Sequence, residues 1–314
     1  MSAADDRRAV GGAGTPLGAA PAARPAESLG SSPASYPVDG PVRLDLRSGS
    51  GRVTVHALDT AEVTVDVRPS DSSARSAEAA GATVVRRVQD VVVVQVPRSV
   101  GFLGRDGAVD VTVTAPRGSS AEVSSRSGDV LLTGELDEAT VACGSGDVSV
   151  DRVRGRARVT TGSGDVTLGE VGAAQVRSGS GTVRVRAVVG PLEVGTGSGD
   201  VLAGPVGGEV VVQTGSGDVQ LARTGADVTV TTGSGDVVLA AVAGRVAVKT
   251  ASGDVGVTVA DGTAVLLDCS SVSGRLRSDL EASGEPGPDE ARLLLRARTV
   301  SGDLLVQRGA PAAR

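Results

Sequence analysis

One phrase, Gly-Ser-Gly-Asp-Val, returns along the 314-residue chain at a nearly fixed interval. It stands at 144–148, 162–166, 197–201, 215–219 and 233–237, and once more, with alanine in first place, as Ala251-Ser252-Gly253-Asp254-Val255. From Ser127 through Ser145, Ser163, Ser180, Ser198, Ser216, Ser234 and Ser252 the steps are 18, 18, 17, 18, 18, 18 and 18 residues. A period this constant is the signature of a repeat architecture, in which each unit buries its apolar face only against its neighbours.

Aligning the copies on that serine assigns each position. Four residues before it stands valine in every copy, Val123, Val141, Val159, Val176, Val194, Val212, Val230 and Val248. Three after it stands valine again, from Val130 to Val255. The positions six before and five after hold Ala, Val or Leu. On each side of the phrase the apolar positions differ by two, so they share one face of a strand. Each unit therefore reads as a coil of two strands and two turns, with stacked β-branched side chains suited to a pleated surface. Two before the serine come Ser125, Cys143, Thr161, Ser178, Thr196, Thr214, Thr232 and Thr250, inward by parity. A hydroxyl ladder is expected there, each side chain bonding a neighbour or a turn amide. The 17-residue copy is expected to have lost its residue in the second turn, around Gly172. The fold class that follows is all-β, a parallel β-helix or β-solenoid of ~18-residue coils.

The boundaries follow from where the beat is kept. Residues 1–38, rich in Ala, Gly, Pro and Ser, read as a disordered tail. Residues 39–120 carry strands without the period and read as an irregular N-terminal β cap. Within it, 70–81 is a loop or short helix, and the strands on either side of Gln89-Asp90 form a hairpin. The regular array spans 121–260. Residues 261–309 read as irregular C-terminal coils ending at Val306, with an extruded loop at 278–291, and 310–314 as a tail. Chains are expected to add end to end if the coil at Leu304–Val306 is left uncovered.

Composition narrows the function. Only two aromatic residues occur, Tyr36 and Phe102, and the net charge is −6. A nucleic-acid surface needs a basic stripe or stacking rings, so nucleic acid is excluded as a partner. No apolar run is long enough to insert in a membrane, and Met1–Arg8 is not a secretory signal, so the expected location is cytoplasmic.

The chemistry-bearing residues are few. Asp129, Asp147, Asp165, Asp200, Asp218, Asp236 and Asp254 form a column of carboxylates ~4.8 Å apart, which repel by about 0.9 kcal/mol per neighbour in water. Asp147, Asp165, Asp200, Asp218, Asp236 and Asp254 could line a row of cations. An Asx-type turn, each carboxylate accepting amides of its own turn, is the preferred account, because Thr182 interrupts the column. A retaining glycosidase pair is disfavoured, since every coil offers the same carboxylate and nothing separates two pKa values. His56 falls on an outward strand position, without a second histidine to serve as a base. The Gly-rich phrases lack a following helix and are not phosphate loops. Cys143 and Cys269 face inward some 34 Å apart at one strand spacing per coil, too far for a disulfide. No catalytic residue, resident metal or cofactor is expected.

Val53-Thr54-Val55, Val63-Thr64-Val65-Asp66-Val67, Ala115-Pro116-Arg117-Gly118-Ser119 and the closing Thr299-Val300-Ser301-Gly302-Asp303 together resemble a bacterial β-strand-repeat family of unknown function, labelled "putative adhesin". The resemblance covers about residues 40–308 and implies a right-handed parallel β-helix. The functional expectation is a non-enzymatic scaffold or interaction protein, with protein partners or self-association. A surface adhesin or carbohydrate-binding stalk is the second expectation, and a polysaccharide-acting enzyme the third.

Overall fold

The computed structural model describes residues 27–28, 33–97, 107–241, 243–280 and 292–309. It is all-β: a single open sheet of 26 strands winds through the described chain, with one short helix. Two rows of strands carry the array. The leading row approaches the Gly-Ser-Gly-Asp turn, as in Leu192–Ser198, Val210–Ser216 and Val228–Ser234. The trailing row leaves it, as in Val183–Val188, Val201–Val206 and Val219–Thr224. Within each row neighbours are parallel and the repeat sets the register. Val176 faces Val194, then Val212, Val230 and Val248 in the leading row. Val183 faces Val201, then Val219, Val237 and Val255 in the trailing row. All these valines are buried, so the core is a pair of aliphatic columns between the two rows.

The short copy behaves as its sequence implies. Pairing between Val148–Ser163 and Val166–Ser180 keeps an 18-residue offset at Val153↔Val171 and changes to 17 at Arg156↔Ala173. The missing residue therefore lies beside Gly172, in the second turn.

Both ends depart from the sequence expectation. The array begins before residue 121: Arg43–Arg47 and Val53–Leu58 already form a complete coil, pairing in parallel with Ser120–Ser125 and Val130–Leu136 at an offset of 77 residues. What separates them is an excursion. It adds Val91–Gln95 and Val109–Pro116 as one further parallel layer and then turns antiparallel. Glu62–Pro69 lies antiparallel on Val109–Pro116, and Val84–Val88 antiparallel on Val91–Gln95, with Gln89 at φ 54° in the hairpin. Segment 70–81 resolves as a helix over Ala74–Gly81, capped by the Ser73 side chain accepting the Ser76 amide. The tail reading ran too far, because Ala34–Pro37 pairs with Glu62–Pro69 and buries Ala34. Tail residues 1–26, 29–32 and 310–314 lie outside the described residues, as does most of the 278–291 loop (281–291).

At the other end the coils are out of chain order. Arg292–Ser301 inserts between Gly244–Ser252 and Ala264–Ser273, and Leu304–Arg308 between Val255–Val259 and Leu276–Ser278. The coil at Leu304–Val306 is thus sandwiched and is not the end of the stack. Its leucines, Leu293, Leu295 and Leu304, outbulk the valines of the regular copies and are fully buried.

Candidate functional site

The repeated turn is built on contact between coils. A Cβ added to Gly199 would lie 2.0 Å from the carbonyl oxygen of Gly181, and one on Gly181 (φ +109°) 2.2 Å from that of Gly164. Real Cβ atoms do not approach so closely, so the second glycine of the phrase is required by the coil beneath it.

That packing places the aspartates. Each carboxylate accepts the amide of the equivalent residue one coil further on. The Asp165 N–H donates to Asp147 Oδ1 at 2.9 Å, Thr182 N–H to Asp165 Oδ1 at 2.9 Å and Asp218 N–H to Asp200 Oδ1 at 3.0 Å. Asp236 and Asp254 donate likewise to Asp218 and Asp236, and Asp147 donates to Asp129 at 3.2 Å. The ladder continues through Asp303, whose amide reaches Asp254 and whose carboxylate takes the Arg275 amide. The Asx-turn expectation is therefore corrected: the accepted amide belongs to the next coil. A charge-assisted bond contributes roughly 1.5–3 kcal/mol, more than the ~0.9 kcal/mol repulsion between neighbours, which is how like charges can stack. Asp165 is the best supported. The Thr182 amide, and then the Arg184 guanidinium at 2.9 Å, hold its carboxyl below the usual range. Thr182 continues the backbone but offers no carboxylate to Asp200.

The sequence reading missed three members. Asp110 accepts the Arg52 amide at 2.8 Å, Asp227 the Arg245 amide at 2.9 Å in the second turn, and Asp303 closes the ladder. Asp110 shares with the others only the step from Asp to a following Val, whereas Asp303 stands in the phrase Ser301-Gly302-Asp303-Leu304, a signal sufficient to place it in the column.

The expected hydroxyl ladder is only partly formed. Ser125 Oγ donates to the Gly128 carbonyl and accepts its amide, Cys143 Sγ accepts the Gly146 amide, and Ser178 Oγ donates to the Ser180 carbonyl. Thr161, Thr196, Thr214, Thr232 and Thr250 have buried hydroxyls with no hydrogen-bond partner in the protein. Like atoms on stacked coils keep the ~4.8 Å strand spacing, beyond hydrogen-bond reach.

The remaining candidates fall on the surface or apart. His56 Nδ1 lies 2.7 Å from Thr133 Oγ1 on the neighbouring coil. Cys143 and Cys269 are both free thiols, and eight strand steps separate them, about 38 Å. Burial pushes the Cys269 thiol up. Among the described residues, no group of three His, Cys, Asp or Glu side chains is placed to hold a metal ion, and no helix is long and apolar enough to cross a membrane.

A shallow groove of about 640 Å³ lies on the outer face of the trailing row. Small residues, Gly204, Ala222 and Ala240, alternate along it with Leu202, Gln220 and Val238, the last 53% exposed. Arg184 and Arg186 stand at one end, each already paired, with Asp165 and Glu170.

The sequence profile of the family described as Toastrack DUF4097 matches residues 42–205 and 206–307. The chain belongs to that family. The Toastrack match covers nearly the whole span over which the strand-repeat resemblance was read, and the family's solenoid-like β fold agrees with the stacked rows described above. Among solved structures the chain is similar to a "putative adhesin" from Bacteroides fragilis, at 13% identity over 88% of this chain and 96% of that one, with a TM-score of 0.39. It is also similar to a "putative lipid binding protein" from Parabacteroides distasonis, at 11% identity over 89% and 96%, with a TM-score of 0.38. Neither superposition is close enough to transfer detail, and membership of Toastrack rests on the sequence match. No curated protein matches the chain.

Proposed function

We propose that this Toastrack chain is a non-enzymatic scaffold, wound right-handed, whose trailing-row groove receives a protein partner. The observation that carries the reading is the apolar stretch Leu202, Ala222 and Val238 on the outward face of the trailing row, flanked by Thr167, Arg184 and Arg186 on one side and Thr258 and Gln307 on the other. An apolar concavity with a small-residue floor suits the side chains of another protein. The array's lack of aromatic residues argues against a carbohydrate platform. The Asp column supports the same reading, since its carboxylates are engaged as backbone acceptors with the same role in coil after coil. Acid–base work needs two carboxylates whose environments differ.

The test places a photo-crosslinking residue at Gln220 in the native host, identifies the adduct, and measures the purified partner against wild type and Ala222→Arg. Binding should weaken at least about tenfold in the variant, with unfolding unchanged. Undiminished binding overturns the groove. Cleavage of a polysaccharide, lost in Asp200→Asn, overturns the non-enzymatic reading.

A further inference from the structure

The two ends of the stack are finished differently. At the N-terminal end the antiparallel strands Glu62–Pro69 and Val84–Val88 and the helix Ala74–Gly81 close the core, and Val63, Val65, Val85, Val92 and Val94 are all buried. At the other end the last coil is Ala264–Ser273 with Leu276–Ser278. Among the described residues each of these strands is paired on one side only, with Arg292–Ser301 and Leu304–Arg308. Its apolar columns are left open: Leu276 is 53% exposed, whereas its register partner Leu304 is 1% exposed. Leu267 and Cys269 are half-buried above the fully buried Leu295 and Ala297. Leu266 and Val272 on the same strand are 68% and 83% exposed. Among the described residues this edge is lightly guarded, with Arg277 on the strand Leu276–Ser278. The strand Ala264–Ser273 has no Lys or Pro, and its single charge, Asp268, is tied to Arg296 at 2.7 Å.

We propose that this open end is a self-association surface whose occupant is the same end of a second copy of the chain, giving a closed two-fold dimer. An extended peptide could satisfy only one of the two strand edges. A second coil of equal width covers both at once and caps both aliphatic columns, its strands running antiparallel to these because the two-fold reverses the stack. The opposite end is closed, so a head-to-tail contact is blocked and growth stops at two. The contact uses neither the groove nor the partner proposed above, so it stands or falls separately.

Light scattering of the full chain across a dilution series tests it. The expected result is twice the chain mass at tens of micromolar. Leu266→Lys with Leu276→Lys should give the single-chain mass with an unchanged far-ultraviolet spectrum. Maleimide labelling of Cys269, followed by peptide mapping, should be at least about tenfold slower in the dimer than after dilution; this readout also serves if the double variant does not fold. A single-chain mass at every concentration overturns the proposal. If Cys269 is then unreactive, another stretch of the same chain covers the end. Higher multiples, a dimer that survives both lysines, or Cys269 labelling independent of concentration overturn it equally.

Discussion

At the scale of single residues, the turn separates three kinds of position that composition alone would merge. Gly181 sits at positive φ with a carbonyl 2.2 Å from where its Cβ would be, whereas nothing lies within 4 Å of a Cβ on Gly195. Gly181→Ala should therefore cost about 1–3 kcal/mol, and Gly195→Ala should stay within about 0.5 kcal/mol of wild type, in denaturant unfolding. The buried column divides likewise. Thr214→Val removes a hydroxyl that has no partner and should stabilise by about 1 kcal/mol, while Ser125→Ala breaks a donated and an accepted bond and should destabilise by about 1 kcal/mol. Thermal scans of the two, run side by side, check the opposite signs. For Asp165 the folded-state pKa is depressed, so its contribution is present above the unfolded value near 3.8 and is lost as pH falls through the folded value. Asp165→Asn keeps an acceptor for the Thr182 amide but not the charge. Its midpoint should lie below wild type from neutral pH to about 4, and the gap should close on further acidification. A gap independent of pH would show that the charge contributes nothing.

At the scale of elements, what the sequence made legible is what the period enforces. Val159, Val194 and Val230 lie in one buried column because an inward residue can stack only on its equivalent one coil away. The lost residue at Gly172 was legible for the same reason. Two things were not. The carboxylates' acceptor role was visible, but its direction was not, since a donor 18 residues away is as plausible on paper as one in the same turn. The insertion of Arg292–Ser301 beneath Ala264–Ser273 was hidden because strand order is set by packing, and chain order alone places the copy at Ser301 after the worn one at Ser273. That order has a consequence. A chain ended after residue 291 loses the sandwiched coil and with it the only partners of Ala264–Ser273 and Leu276–Ser278 among the described residues. Trypsin should then cut at Arg275 and Arg277 at least about tenfold faster than in the full chain. A chain ended after residue 260 should keep its proteolytic resistance up to Val259.

At the scale of the whole molecule, the stack is quasi-one-dimensional: each coil touches the one before and the one after, so stability is set by local interfaces. Removing 200–217 joins Gly199 to Asp218 and restores the phrase Gly-Ser-Gly-Asp-Val with one coil fewer. The Asp218 amide, which donates to Asp200 in the full chain, then falls opposite Thr182, so one rung of the ladder is lost while every valine column stays continuous. The shortened chain should fold with the same β spectrum and a single cooperative transition at a modestly lower temperature. Removing only 200–208 takes half a coil. It sets a leading strand where a trailing strand belongs and puts Glu209 in the place of Asp200. Its carboxylates and glycines would meet the wrong coil positions, and the product should fail to unfold cooperatively or should precipitate. Circular dichroism and light scattering on the two deletions distinguish a stack that counts in eighteens from one held together by distant contacts. If the half-coil deletion folds as well as the full-coil one, register is not what specifies this molecule.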